Sequence, residues 1–172
     1  LDEEKEALYQ KYRWFCFRGN ISTSLQESLL DGEDVNVFHT LEVCVYDEEQ
    51  LIAVSFFDVG ENSIASILGM YDPDYDKYSL GFYTMLLEIQ YGIDKGYAYY
   101  YPGYVVPGYN RFDYKKRIGN VDYFNLETGN WQAYQHIQEA HYPIIRLRQK
   151  LEDLQRYLEF YNISSQLYYY PL

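Results

Sequence analysis

Apolar and polar residues change period several times along this 172-residue chain, and each change marks an element. Residues 3–13 follow a helical spacing that is expected to end near the aromatic run Trp14-Phe15-Cys16-Phe17. A polar stretch over 19–34 reads as loop with a short helix at 24–30. Residues 40–46 and 51–59 are rich in β-branched side chains and flank the turn Asp47-Glu48-Glu49-Gln50, which predicts a hairpin. Gly60-Glu61-Asn62 then turns the chain into a third antiparallel strand over 63–71. Ser79 is placed to cap a helix over 80–95, with Leu80, Tyr83, Leu86, Leu87 and Tyr91 on its apolar side and Gly96 as its stop.

Residues 97–106 lack polar alternation, which suits a central strand covered on both faces. A helix at 110–118 and a strand at 121–125 follow. Ile144, Leu147, Leu151, Leu154, Leu158 and Tyr161 recur at helical spacing and describe an amphipathic helix expected to pack on its own domain. The order of meander, helix, strand, helix, strand is that of an α+β chain with a GNAT-like acyltransferase fold, a mixed and mainly antiparallel sheet flanked by helices. The expected organisation is one catalytic domain over 1–135, with 136–172 as a C-terminal helix and tail packed on it.

Composition narrows the function. The chain is 48% hydrophobic and 20% aromatic, enough to build a core. No apolar run approaches the roughly 20 residues of a membrane span, and the charged start Leu1-Asp2-Glu3-Glu4-Lys5-Glu6 is unlike a signal peptide. A cytoplasmic protein is expected. Leu1 in place of an initiator Met leaves room for sequence upstream. Cys16 and Cys44 stand apart in apolar stretches and read as buried free thiols, and the three histidines are too scattered for a metal site. The net charge of −12 falls within residues 1–80, which carry 5 Lys/Arg against 17 Asp/Glu; residues 81–172 balance at 9 against 9. A nucleic acid must therefore be met by a local patch. Arg111, Lys115, Lys116 and Arg117 form one candidate, and Arg146, Arg148, Lys150 and Arg156 a second.

Two stretches concentrate chemistry. Tyr71-Asp72-Pro73-Asp74-Tyr75-Asp76-Lys77-Tyr78-Ser79-Leu80-Gly81 puts three acids just before a helix start, where unpaired N–H groups and the helix dipole favour an anion or a polarised carbonyl. A coenzyme A enzyme of this fold carries a glycine-rich loop there. Its replacement by acids and bulky residues argues for a different acyl donor. The second stretch runs from Tyr99-Tyr100-Tyr101 through Gly103-Tyr104 and Pro107-Gly108-Tyr109 to Tyr114-Lys115. Its aromatics and cations can stack a base or clamp a ribose. A capped turn and a buried aromatic strand are the structural readings of the same residues.

Both stretches resemble the signature regions of the arginyl-tRNA-protein transferases and their bacterial aminoacyl-transferring relatives. Leu8-Tyr9-Gln10-Lys11-Tyr12, Leu51-Ile52-Ala53-Val54 and Asp58 resemble further family segments, so the likeness covers about residues 5–125. The family pattern has Cys, Lys and Met where Tyr109, Arg111 and Phe112 stand, and the family's N-terminal cysteine-bearing domain is not in this sequence.

The resemblance implies transfer of an amino acid, arginine or leucine, from a charged tRNA to the α-amine of a protein N-terminus, in the pathway that marks proteins for degradation. The aminoacyl-tRNA is then a co-substrate, and neither cofactor nor metal is expected. Partners are the tRNA and protein or peptide N-termini, with no membrane, and the chain is expected to be a monomer or weak homodimer. Tyr78 or Tyr104 would protonate the leaving ribose oxygen, and Asp72 or Asp74 would hold an ammonium. Ser79, Leu80, Gly81 and Tyr101 would line the substrate. Arg111, Lys115 and Arg117 would meet the acceptor's acidic side chain or the tRNA end. Backbone N–H groups near Leu68 to Met70 would hold the oxyanion where the third strand parts from the next. A coenzyme A-dependent N-acetyltransferase and a non-catalytic reader of N-termini are the alternatives.

Overall fold

In a computed structural model, residues 1–30, 35–105, 110–137 and 142–166 are described. The chain divides into two compact units, Leu1–Gly103 and Tyr104–Leu172.

The first unit opens with α1 (Glu3–Phe17), whose N-cap Asp2 accepts from the Lys5 N–H at 2.9 Å. The helix continues through the aromatic run rather than ending before it, because nothing there breaks it. It stops where Arg18 turns left-handed and donates to the Trp14 carbonyl. Trp14 and Phe15 lie exposed on its last turn. α2 (Leu25–Leu30) follows.

The meander forms as expected: β1 (Thr40–Asp47), β2 (Gln50–Val59) and β3 (Ser63–Tyr71) pair antiparallel in order. Glu48, in the two-residue turn, takes the left-handed conformation that tight hairpins demand. After β3, a 3-10 turn (Pro73–Tyr78) leads into α3 (Leu80–Lys95). β4 (Tyr99–Tyr101) then joins β3 in parallel, giving the sheet order β1-β2-β3-β4. The strand expected over 97–106 is thus three residues long and lies at the sheet edge, not its centre; Val106 lies outside the described residues. Its run of tyrosines mimics a doubly buried strand, but Tyr99 and Tyr101 are exposed.

The sheet is covered on both faces. Leu8 and Tyr9 of α1 and Leu25 of α2 pack on Leu51, Val54, Phe56 and Met70. On the other face Leu80 meets Ile52 and Ala53, and Tyr91 meets Phe57 with ring centroids 5.3 Å apart. α3 runs antiparallel to β3. Gly92 lies against Ile64, Glu88 bonds Ser66, and Gly81 lies beside Tyr71. The start of α3 therefore sits at the end of β3.

The buried side of α3 is Leu80, Thr84, Met85, Glu88 and Gly92. The sequence pattern placed Leu80 on this side, as found, but also Tyr83 and Leu86, which are exposed. Ser79 precedes the helix without a side-chain cap; its carbonyl accepts from the Phe82 and Tyr83 N–H groups. Gly96 ends α3 in the left-handed region, at φ 76°, with open space where a Cβ would stand. A Gly96→Ala substitution should therefore cost about 1 kcal/mol from the backbone alone, read as a lower urea midpoint. Cys16 and Cys44 are half-buried thiols outside any disulfide, less enclosed than expected, and desolvation pushes the Cys44 thiol pKa up.

In the second unit, residues Asn110–Ile118 wind as 3-10 helix rather than α-helix. β5 (Asp122–Asn125) pairs with β6 (Asn130–Ala133) as a separate hairpin. α4 (Pro143–Phe160) forms over the expected apolar repeat, but its Ile144, Leu147, Leu151 and Leu154 are exposed, so the packing expected of this face is not seen among the described residues. Arg146 of α4 forms an ion pair with Glu127 in the hairpin turn. No helix among the described residues is long and apolar enough to cross a membrane.

Candidate active site

β3 pairs with β4 only through Ser63, Ala65 and the Ile64 between them. Among the described residues, no strand of this sheet pairs with β3 on that side from Ser66 to Tyr71. In that stretch the residues of its non-hydrogen-bonded pairs turn their N–H and C=O groups away from β2. The expected parting of the two strands is present, and Leu68, Gly69 and Met70 lie on its β3 arm. A bulge between the Phe56 and Phe57 pairings leaves Ile67 as the extra residue of β3 within it.

The acid-rich turn follows directly on the end of β3. Asp72, only 2% exposed, holds it together. Its Oδ1 accepts from the Asp74 N–H at 3.1 Å, and its Oδ2 accepts from Lys11 Nζ at 2.9 Å and Gln50 Nε2 at 3.3 Å. Its backbone N–H donates to the Ile52 carbonyl at 2.8 Å. Burial by itself would raise the Asp72 pKa, but the Lys11 ammonium and the Asp74 N–H outweigh it and hold the carboxyl below its ordinary range. The same pair raises the Lys11 pKa. With these donors, Asp72 fixes the turn to α1 and β2. Asp74, by contrast, is exposed.

Two tyrosines reinforce the turn. Tyr71 donates to Asp76 at 2.8 Å, and burial, then that bond, drives its phenol pKa far above the ordinary value. Tyr75 donates to Asp47 at 2.7 Å, a bond that pushes its phenol up to about 12. Tyr78 stands exposed at the end of the turn, with Lys77 Nζ 4.9 Å from its ring centroid. Ser79 is left-handed, at φ 55°, a conformation rarely adopted by residues other than glycine. Leu80 points into the core, so only its backbone can face a ligand. Gly81 is half-buried on the first turn of α3, and Tyr101 stacks on Tyr99 on β4, centroids 6.5 Å apart.

Tyr104, Arg111, Lys115 and Arg117 belong to the second unit. Lys115 Nζ lies 5.5 Å from the Tyr104 ring and 5.1 Å from the Phe112 ring, and those two rings meet edge to face at 5.3 Å. Lys116 is held by Asp113 at 2.5 Å. In the second basic group, Arg156 is paired with Asp153 at 2.7 Å. The Pro107-Gly108-Tyr109 motif lies outside the described residues.

Lys11 and Tyr100 stood inside segments noted in the sequence without being singled out as site residues, and Glu88 was not singled out at all. An acidic residue one helical turn beyond Thr84 and Met85 was the available sign of Glu88. A cavity of about 570 Å³ opens elsewhere, around Leu30, Leu41, Val43 and Phe57 at the β1 edge, and includes none of the candidate residues.

This topology, with a helix-flanked sheet whose third and fourth strands part beside a helix start, defines an acyltransferase fold of the GNAT type. A solved N-acetyltransferase, PaiA from Thermoplasma acidophilum in complex with coenzyme A, shares it. The TM-score is 0.53 at 14% identity, covering 75% of this chain and 88% of that one. The chain itself belongs to the arginine-tRNA-protein transferase family, whose C-terminal model matches residues 4–125. The aspartate/glutamate leucyltransferase of Leptospira interrogans is 31% identical over 120 residues, which cover 67% of this chain and 47% of that protein. The enzyme of the same name from Campylobacter jejuni is 38% identical over 121 residues, covering 67% of this chain and 50% of its own length. This chain thus spans about half the length of these relatives.

Proposed function

We propose that this protein moves leucine from leucyl-tRNA to the α-amine of protein N-termini that begin with aspartate or glutamate. The observation that carries the reading is the build of the donor end of the site. Where a coenzyme A pyrophosphate needs close approach by glycine backbone, this chain has Lys77, Tyr78 and a left-handed Ser79, in a turn fixed by Asp72. An aminoacyl ester brings an α-ammonium instead of a pyrophosphate, and the exposed carboxylate of Asp74 is chemically suited to it. That the two relatives are aspartate/glutamate leucyltransferases favours leucine over arginine and acidic acceptors over others.

In this reading the neutral α-amine attacks the ester carbonyl in the parting between β3 and β4. Backbone N–H groups of the β3 arm stabilise the oxyanion. Tyr78 returns a proton to the leaving ribose oxygen, and in the second unit the Lys115 patch offers cations to the tRNA. No cofactor or metal enters the reaction.

The test is transfer of radiolabelled leucine or arginine from the cognate tRNA to peptides starting with Asp, Glu, Arg or Ala. Label from leucyl-tRNA on the Asp and Glu peptides alone is the expected result. Absence of label on every peptide, with acetyl-CoA binding in calorimetry, would reverse the reading toward an acetyltransferase. Lys115→Ala should raise the KM for leucyl-tRNA about tenfold. An unchanged KM would remove Lys115 from tRNA binding.

A further inference from the structure

Glu88 is the one carboxylate among the fully buried side chains of α3, at 0% exposure. A charge withdrawn from water this far is costly unless it is well hydrogen-bonded. Its two oxygens are met by hydroxyls from two different strands: Ser66 of β3 donates to Oε1 at 3.3 Å, and Tyr100 of β4 donates to Oε2 at 2.7 Å. These strands are the arms of the parting. The last paired positions are Ala65 and Tyr101, so Ser66 and Tyr100 stand on either side of its vertex. Packing alone does not call for a Glu here, since a leucine or methionine would fill the same position on α3 without a desolvated charge.

We propose that Tyr100 and Glu88 form a proton relay for the acceptor amine, a role that rests on the transferase reading above. Attack of the neutral amine forms the C–N bond and leaves a positively charged nitrogen. That nitrogen must lose a proton before the C–O bond to the ribose can break productively. The proton passes from nitrogen to the Tyr100 oxygen while the Tyr100 proton moves to Glu88 Oε2. The oxyanion lone pair then re-forms the C=O bond and expels the ribose oxygen, which takes its proton from Tyr78 as above. Glu88 gives its proton to water once the product has left. Ser66 holds the other oxygen of Glu88, so the accepting oxygen stays aimed at Tyr100. Tyr100 is the group that meets the amine; Glu88 acts through it.

The deciding variant is Glu88→Gln, whose amide can still accept from Tyr100 and reach Ser66 but cannot take up a proton. With the acidic peptide as acceptor, kcat should fall about 100-fold while the acceptor KM stays within about twofold. The same peptide carrying an aminooxy group in place of its α-amine supplies the second arm. Its far less basic nitrogen sheds the proton to water unaided, so the Glu88→Gln defect should shrink to about threefold or less. Tyr100→Phe, which leaves Glu88 bonded to Ser66, should show the same dependence on the acceptor. An equal loss with both acceptors, in variants that melt like the parent, would mean that Glu88 only shapes the site and would overturn the relay. Unchanged kcat would do the same. Should the parent protein transfer no amino acid at all, the transferase reading itself fails, an outcome distinct from loss of the relay alone.

Discussion

Replacing Lys11 with Met should destabilise the protein by about 2–3 kcal/mol, the lower side of the range for breaking a buried ion pair because half of the lysine side chain is in solvent. The loss arises at the other partner. Asp72 is 2% exposed and would keep a buried charge with only the Gln50 and Asp74 donors. The double variant Lys11→Met/Asp72→Asn should recover part of the loss, so a double-mutant cycle in urea unfolding should return a clear coupling energy. The pH dependence has a definite sign. The folded Asp72 pKa lies below its ordinary value of 3.8, so its contribution is complete above that value and is lost as pH falls through the folded value. Acid unfolding of Asp72→Asn should accordingly lack this portion of the pH dependence. Because the pair fixes the turn before α3, Lys11→Met should also reduce transfer at temperatures well below its melting point.

The largest loss of stability is expected from Phe57→Ala. Phe57 is 1% exposed, and its ring meets Tyr91 of α3 at 5.3 Å. Removing an aromatic side chain from such a site costs about 3–5 kcal/mol, the lost transfer energy plus the void left behind. The helix consequence separates this variant from any other core deletion. The Phe57–Tyr91 contact is one of the anchors of α3 on the sheet, so amide exchange should accelerate in α3 more than in α1, which packs on the opposite face. Equal acceleration in both helices would mean that the two layers open as one unit.

Much of the candidate site was legible because its motifs are local. The acid-rich turn, its Pro73 at the first turn position, the start of α3 at Leu80 and its stop at Gly96 all follow from residues adjacent in the chain. The partners of these residues were not legible. Nothing local tells that Asp72 meets Lys11, 61 positions away, or Gln50, 22 positions away. Asp72 thus read as a substrate contact, whereas the fold gives its carboxylate three donors of its own.

The sequence by itself determined the meander, since alternation, β-branched residues and turn signals at Glu48 and Gly60 act within a few residues of one another. It also determined the family, through motifs kept in order from Tyr9 to Tyr114. Tertiary structure decided which side of α3 faces the sheet. Apolar residues occur around most of that helix, and the choice fell to the side where Gly92 lets it close on Ile64 and where Glu88 reaches Ser66 and Tyr100. It likewise decided that the tyrosine run of β4 would be a short edge strand, because pairing with β3 ends at Tyr101. Hydrophobicity along a chain reports how much apolar surface an element can bury; which surface is buried depends on what the rest of the fold brings against it.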